Sequence, residues 1–409
     1  MTDAADAAPP PLLAGRPVSL ALSGGLALGA YHWGGYEALH AAGGRDGPPR
    51  LARVAGCSSG AIMAAILAGN PPERRAERLA AFWEGVSGPS PGLPGPATAS
   101  DPWGGGGDPF SAFAFAATGG GGPWRRSLNA ASIGRTVLAG RPGLFRPRPA
   151  ALALPPGADP APGLYDLAPL AARLTEIVDF DRINDPRAET PRLALGACDL
   201  ETGERVAFDT GRGDRIGPEH VLASCALLPL LAPVEVGGRL LGDGGLLENT
   251  PLDLLPDDEA PEGEAALFAL DLFGRAGSRP GSLDASLARA LDLAFAGQSA
   301  GLLDLRRAER RLRARLAELA ARLPPEAAKG GADEAALADA LGEARAAPDP
   351  APVLHLGYRA GPGEAGGLKG LDFSAATLAG HREAGARDMR AALAALPGTP
   401  RGAVVTIRG

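Results

Sequence analysis

An α/β fold with a mostly parallel sheet is predicted by three observations. Short apolar runs of β type, at 18–22 and 51–55, each break at a glycine-rich turn. Each turn opens a helical pattern, 30–42 after the first and 59–68 after the second. A further helical pattern starts at Pro71-Pro72 and runs to about residue 86, with proline in the first turn, where its missing N–H costs nothing. Repeated strand, turn, helix order is how chains build parallel sheets covered by helices.

The rest follows in order. Residues 1–16 are an acidic, Pro/Ala-rich tail with neither the cationic start nor the apolar core of a signal peptide. Residues 88–123 are dominated by Gly, Pro, Ala and Ser around Trp103, Phe110, Phe113 and Phe115. They read as a mobile insertion, or as a lid whose aromatic residues dock over an apolar site. A second Pro-rich connection at 142–163 extends the insertion to about 88–163. Then come a helix at 168–178, strands at 193–199 and 206–209 joined by Glu201-Thr202-Gly203-Glu204, a run at 240–242 leading into Asp243, and a buried strand at 265–272. The pattern is helical from 283 to 323, with a late strand at 353–358 and a final helix at 374–396. The domains are therefore 17–275, carrying the α/β layer, and 276–409, a mainly helical C-terminal extension.

Composition excludes several classes. At 409 residues, 45% hydrophobic and 21% charged, the chain can bury a large core. Gly at 59 and Pro at 40, with Lys only at 329 and 369 among the cations, read as GC-rich coding bias and not as function. A net charge of −7 leaves no basic field for nucleic acid. Cys57, Cys198 and Cys225 have no paired or metal-binding spacing and read as buried free thiols in a reducing compartment. The longest apolar stretch, 221–234, is broken by Ser224, Pro229 and Pro233, so no span is expected. The expected location is cytoplasmic.

Three pieces carry chemistry. In Gly56-Cys57-Ser58-Ser59-Gly60 a serine sits between a strand and a helix, where glycines at −2 and +2 let the elements approach and expose the hydroxyl. The N–H of Ser59 and the helix N-terminus can stabilise an oxyanion. Ser23-Gly24-Gly25-Leu26-Ala27-Leu28-Gly29 is a second strand-to-helix turn whose N–H groups form an anion nest. It lacks Rossmann spacing and the Lys-Ser/Thr pair of a P-loop, so an oxyanion suits it better than phosphate. Asp243, before Gly244-Gly245, is an acid at a strand end facing a crevice, or a turn-capping aspartate. An aspartate has an ordinary pKa of about 3.9 and needs desolvation to act as a base; Leu240, Leu241, Leu246 and Leu247 would supply it.

Residues 22–31 (LSGGLALGAY), 56–60 (GCSSG) and 243–245 (DGG) resemble the patatin-like phospholipase family. So do 223–226 (ASCA) with Pro229, 233–235 (PVE) and 249–252 (NTPL), over roughly 18–272 and interrupted at 88–163. Residues 69–86 and 373–393 look like a bacterial branch with its own C-terminal extension. The resemblance implies a three-layer α/β/α sandwich that hydrolyses acyl esters of lipids, as a phospholipase A or lysophospholipase-like esterase. It implies a Ser–Asp dyad of Ser58 and Asp243, with Gly24, Gly25 and the N–H of Leu26 lining the oxyanion hole beside Ser59. Gly29, Gly56, Gly60, Gly244 and Gly245 support the turns, and no cofactor or metal is needed. Phospholipid, lysophospholipid or another acyl ester is the implied substrate. The chain departs at Leu26, where the family has a third glycine, and at Leu28, where it often has a basic residue.

Alternatives stay open. Ser58, Asp243 and then His355 or His381 is also the order of an α/β-hydrolase triad, although His355 lies within a strand and His381 in a polar, solvated helix. Leu26 allows a non-catalytic lipid binder on the same fold. Leu305, Leu312, Leu316, Leu319 and Leu323 form one stripe among arginines 306, 307, 310, 311, 313, 315 and 322. That helix packs on its own domain with solvated arginines, forms a coiled-coil seam, or lies on an anionic membrane as a peripheral contact.

Overall fold

The computed structural model describes residues 13, 15–44, 47–88, 123–148, 150–151, 163–277, 279–323, 338–343, 349–359 and 368–407. Most of the expected tail and the lid aromatics Trp103, Phe110, Phe113 and Phe115 lie outside them. Strand β1 (Pro17–Leu22) leads through a 3-10 turn (Leu26–Gly29) into α1 (Ala30–Ala41), and β2 (Arg50–Gly56) leads into α2 (Ser59–Ala68) and α3 (Pro72–Val86). There follow α4 (Pro123–Ala139), a ribbon of β3 (Arg146–Pro147) and β4 (Tyr165–Asp166), α5 (Ala168–Ile177) and α6 (Phe180–Ile183). Next are β5 (Arg192–Asp199), β6 (Arg205–Asp209), α7 (Pro218–Cys225), β7 (Val234–Val236), β8 (Arg239–Asp243) and β9 (Ala266–Asp271). The chain ends with α8 (Leu283–Arg322), β10 (Val353–Gly357), α9 (Ala375–Ala395) and β11 (Val404–Ile407).

Among the described residues one sheet runs β11-β10-β9-β1-β2-β5-β8-β7, with β6 on β5. Pairings from β11 to β5 are parallel, whereas β6, β8 and β7 join antiparallel. Alternation along the strands divides the core. Leu20, Leu22, Phe268, Leu270, Leu354 and Leu356 enter the large cluster, while Ala21, Leu267, Ala269 and Val353 meet Leu252, Leu255 and Leu303 in a smaller one. Both faces are therefore covered, as a parallel sheet requires, and the architecture is a three-layer α/β/α sandwich.

Three local outcomes differ from expectation. Part of the region read as an insertion is ordered core: α4 buries Ile133, and Leu144 and Phe145 are buried behind it. In the mainly helical C-terminal extension the strand expected at 353–358 forms as β10, and β11, which is not among the expected elements, joins it in the central sheet. Of the three readings of the arginine-rich helix, the one that packs it on its own domain with solvated arginines is reversed, because it docks through arginines. Arg306 and Arg310 are buried, at 8% and 7% exposure, while Leu305, Leu312, Leu316 and Leu319 are exposed. Arg306 donates to the carbonyls of Leu252 and Leu255 at 2.8 Å, and Arg310 grips Asp257 with two 2.7 Å bonds. The guanidinium fork matches carboxylate and carbonyl acceptors, which compensates its desolvation. Removing one partner strands the other charge. Arg310→Ala should therefore lower unfolding free energy by about 3 kcal/mol in urea titration, and a loss below about 0.5 kcal/mol would show a merely solvated arginine.

Candidate active site

The sheet topology brings Ser58 and Asp243 together. One edge of β5 is taken by β6 along Ala194–Cys198, so β2 and β8 must share the other. Strand β2 pairs with β5 up to Gly56–Leu195, and β8 resumes at Asp243–Ala197. Asp243 thus enters the same edge where β2 leaves it and turns through Cys57 and Ser58. The turn is tight: a Cβ on Gly56 would lie 2.3 Å from the Gly60 carbonyl oxygen, and one on Gly60 would lie 2.1 Å from that of Leu22. Only glycine fits at either position. Ser58 takes φ 54° and ψ −125°, a left-handed conformation that is strained for serine and is held by the surrounding structure.

That conformation is pinned by residues the sequence reading did not single out as site residues. The Ser58 N–H donates to the carbonyl and hydroxyl of Ser224 at 3.1 and 3.2 Å, and the Ser224 hydroxyl donates to Gly196 O at 2.6 Å. The Cys225 thiol donates to Ser58 O at 3.2 Å. All three cysteines are buried free thiols.

Asp243 is 1% exposed. Its carboxylate accepts the Gly245 N–H at 2.7 Å and the Cys57 thiol at 3.6 Å, and the Ser58 side chain hydrogen-bonds to it. Burial raises its pKa to about 6, more than these donors lower it. The leucines expected to desolvate it mostly do not, because Leu240, Leu246 and Leu247 are 37–42% exposed and only Leu241 is buried. The groups packed beside it are β5 at Ala197, the Cys57 turn and Ala226, whose carbonyl accepts the Asp243 N–H at 3.0 Å.

The glycine-rich turn lies beside Ser58. The Gly24 N–H, expected to line an oxyanion hole, donates to Asn249 O at 3.2 Å, and Asn249 Nδ2 returns a bond to Gly24 O. Among the described residues the N–H groups of Gly25, Leu26 and Ser59 meet no acceptor. Leu26 has φ 52°, the left-handed conformation for which the family's glycine is suited. Gly29 packs under the Ser59 side chain. Gly244 and Gly245 turn the chain away from Asp243.

Asn249 is held in turn by α8: Gln298 accepts its N–H at 2.9 Å and lies 3.5 Å from Gly245 O, and Thr250 bonds Ser299 at 2.9 Å. Gln298 thereby ties both loops of the site to the C-terminal region. The only sequence signal for it is a polar side chain between Ala296-Gly297 and Ala300-Gly301.

Ser58 opens on a narrow pocket, about 30 Å³ inside and about 400 Å³ with its open mouth, whose walls include Leu26, Ile62, Trp83, Phe145, Leu231 and Phe373. His355 bonds Asp271 and Thr406, as expected of a structural histidine. His381 is not solvated: it is 1% exposed, against Ala27 O and the Tyr358 ring. Neither partners Ser58 or Asp243.

A family model described as patatin-like phospholipase matches residues 20–256, more than half of the chain. The chain belongs to the patatin-like phospholipase family. A second model, described as patatin phospholipase, covers residues 294–401, and thus the part of α8 that carries Gln298. Among solved structures the chain is similar to "Crystal structure of VipD from Legionella pneumophila", at 13% identity over 93% of this chain and 67% of that one, with a TM-score of 0.37, too distant to bear on function. As a patatin-like phospholipase the protein is a lipid acyl hydrolase. Among the described residues no helix is long and apolar enough to cross a membrane.

Proposed function

We propose that this patatin-like phospholipase cleaves lipid acyl esters through a Ser58–Asp243 dyad. The observation that carries the reading is the buried Asp243 carboxylate, hydrogen-bonded to a serine in a strained turn at the mouth of an apolar pocket. The acyl chain of a phospholipid or lysophospholipid enters the pocket and places its carbonyl carbon at Ser58 Oγ. Attack forms the C–O bond while the hydroxyl proton passes to Asp243, whose raised pKa makes it a better base than an ordinary aspartate. Negative charge on the carbonyl oxygen is met by the N–H groups of Gly25, Leu26 and Ser59 at the start of α2. Collapse expels the lipid alkoxide, which takes the proton from Asp243. Water, deprotonated by Asp243, then releases the fatty acid.

Ser58→Ala should abolish labelling by a fluorophosphonate and lower p-nitrophenyl ester turnover by at least about 1000-fold. Labelling that persists in Ser58→Ala, or wild type that neither labels nor turns over, would overturn the assignment.

A further inference from the structure

Apart from Gln298, which holds the site loops, the outer face of α8 has no role in the site. Counted at 100° per residue, Leu283, Leu287, Leu291, Ala294, Gln298, Gly301, Leu305, Glu309, Leu312, Leu316, Leu319 and Leu323 fall within an arc of roughly 80°. Every one of them is exposed except Gln298, which is half-buried. The docked side is different: Ala296, Ser299, Leu303, Arg306 and Arg310 are buried. Leucines therefore occupy both ends of this face on a helix of about 60 Å, broken at residues 294–301, where Gln298 turns onto the site loops, and they face away from the protein. An apolar strip of that extent marks a contact surface.

Charge selects the partner. Residues 302–323 carry seven arginines, but Arg306 and Arg310 are buried on the docked side. The other five face Asp304, Glu309 and Glu318, a net of two positive charges in a chain of net −7, and Arg311 and Arg315 lie outside the pairs that Arg307, Arg313 and Arg322 make with those acids. Exposed Arg313 flanks the stripe on one side, and Arg311, Arg315 and Arg322 on the other. A second copy would set arginine flanks against arginine flanks. An anionic bilayer would receive the leucines among its acyl chains and the guanidinium groups at its phosphates.

We propose that α8 is an interfacial helix that lies flat on an anionic lipid bilayer through this leucine face. The inference rests on the reading of the site as a lipid acyl hydrolase, and it gives that site a route to its substrate. The N-terminal end of α8 borders the site through Gln298 and through Asp292, which pairs with Lys369 at 2.7 Å. Lys369 begins the short turn whose Gly370 packs beside Leu26. A helix held at the interface thus keeps the hydrolase on the surface that carries its substrate.

The test is co-sedimentation of the full chain with vesicles of phosphatidylcholine alone, or mixed in equal parts with phosphatidylglycerol. Hydrolysis of a soluble p-nitrophenyl ester is read on every protein. Wild type should pellet with the mixed vesicles, at least about tenfold more than with phosphatidylcholine, and less as salt is raised. The combined variant Leu312→Gln, Leu316→Gln and Leu319→Gln should lose most of this binding with unchanged turnover of the soluble ester, which also reports that it folds. Arg311→Gln with Arg315→Gln should lose the preference for anionic vesicles. Wild type that stays in the supernatant, pellets equally with both vesicles, or binds as well after the leucine changes would overturn the proposal. So would a dimer in light scattering that the leucine variant dissolves, which would assign the face to a second copy. Failure of the catalytic reading shows separately, as absent turnover of the soluble ester by wild type.

Discussion

Asp243→Asn is expected to lose turnover by between about 100-fold and 10⁴-fold, the range of a general base, and to be more stable than wild type above neutral pH. The carboxyl is buried and its pKa stands at about 6, against an ordinary 3.8. Between those values the folded protein holds a proton that the unfolded chain has released, so stability falls as pH rises through about 6. Above that, wild type carries an incompletely compensated buried charge that costs about 3 kcal/mol. Asparagine carries none and keeps an oxygen for the Gly245 N–H. The urea midpoints of variant and wild type should nearly coincide at pH about 4 and separate by pH about 8, the variant being higher. Wild-type kcat/KM should rise with pH to a plateau as Asp243 deprotonates near pH 6. A variant within a few-fold of wild-type turnover, or a rate flat across that range, would remove Asp243 from the chemistry. Activity and stability oppose each other at this residue because the desolvation that makes it a base destabilises the fold.

How far the sequence shows this site depends on what each residue answers to. Ser58 answers to its neighbours in the chain: strand, glycine, serine, glycine and helix are contiguous, and the left-handed turn is implied by glycines that a Cβ would exclude. Asp243 is visible as an acid at a strand end, but its place beside Ser58 depends on β5 sharing one edge between β2 and an antiparallel β8. Nothing local to residue 243 specifies that pairing. Its desolvation is expected from flanking leucines and is found in residues about 20 to 190 positions away. The stripe on α8 is correct in period, and among its three readings only the one that buries it against its own domain is reversed in facing. Periodicity identifies two faces, and which is docked depended on Asp257 and the carbonyls of Leu252 and Leu255, partners that a helical wheel does not contain. The Gly/Pro-rich segments 88–123 and 142–163 suggest a mobile insertion over about 88–163, yet Ile133, Leu144 and Phe145 within those bounds find enough apolar surface to be buried.

Gly34→Val is expected to cost about 3 kcal/mol or more, the second large effect, because α1 and α9 meet backbone to backbone. A Cβ on Gly34 would lie 1.8 Å from the Arg382 carbonyl oxygen, and one on Gly385 would lie 1.9 Å from that of Tyr31. The contact is locked around these glycines: Tyr31 donates to Asp388 at 2.9 Å, and Arg382 holds Glu37 at 2.7 and 2.8 Å while stacking 4.1 Å from the Trp33 ring. A valine must push the helices apart, and these contacts fail together. Helix propensity alone predicts the opposite sign, since replacing a mid-helix glycine gains up to about 1 kcal/mol. Gly134→Ala in α4, with open space at its Cβ, should show that gain. The damage should reach the site as well, because Ser374 caps α9 and the preceding Phe373 lines the acyl pocket. The variant should show a raised KM for long-chain esters, with short-chain turnover less affected. Gly34→Val as stable as wild type in urea would mean that α9 is not pressed on α1. Phe373 would then owe its place in the pocket to the Gly88–Ser374 bridge and its own packing.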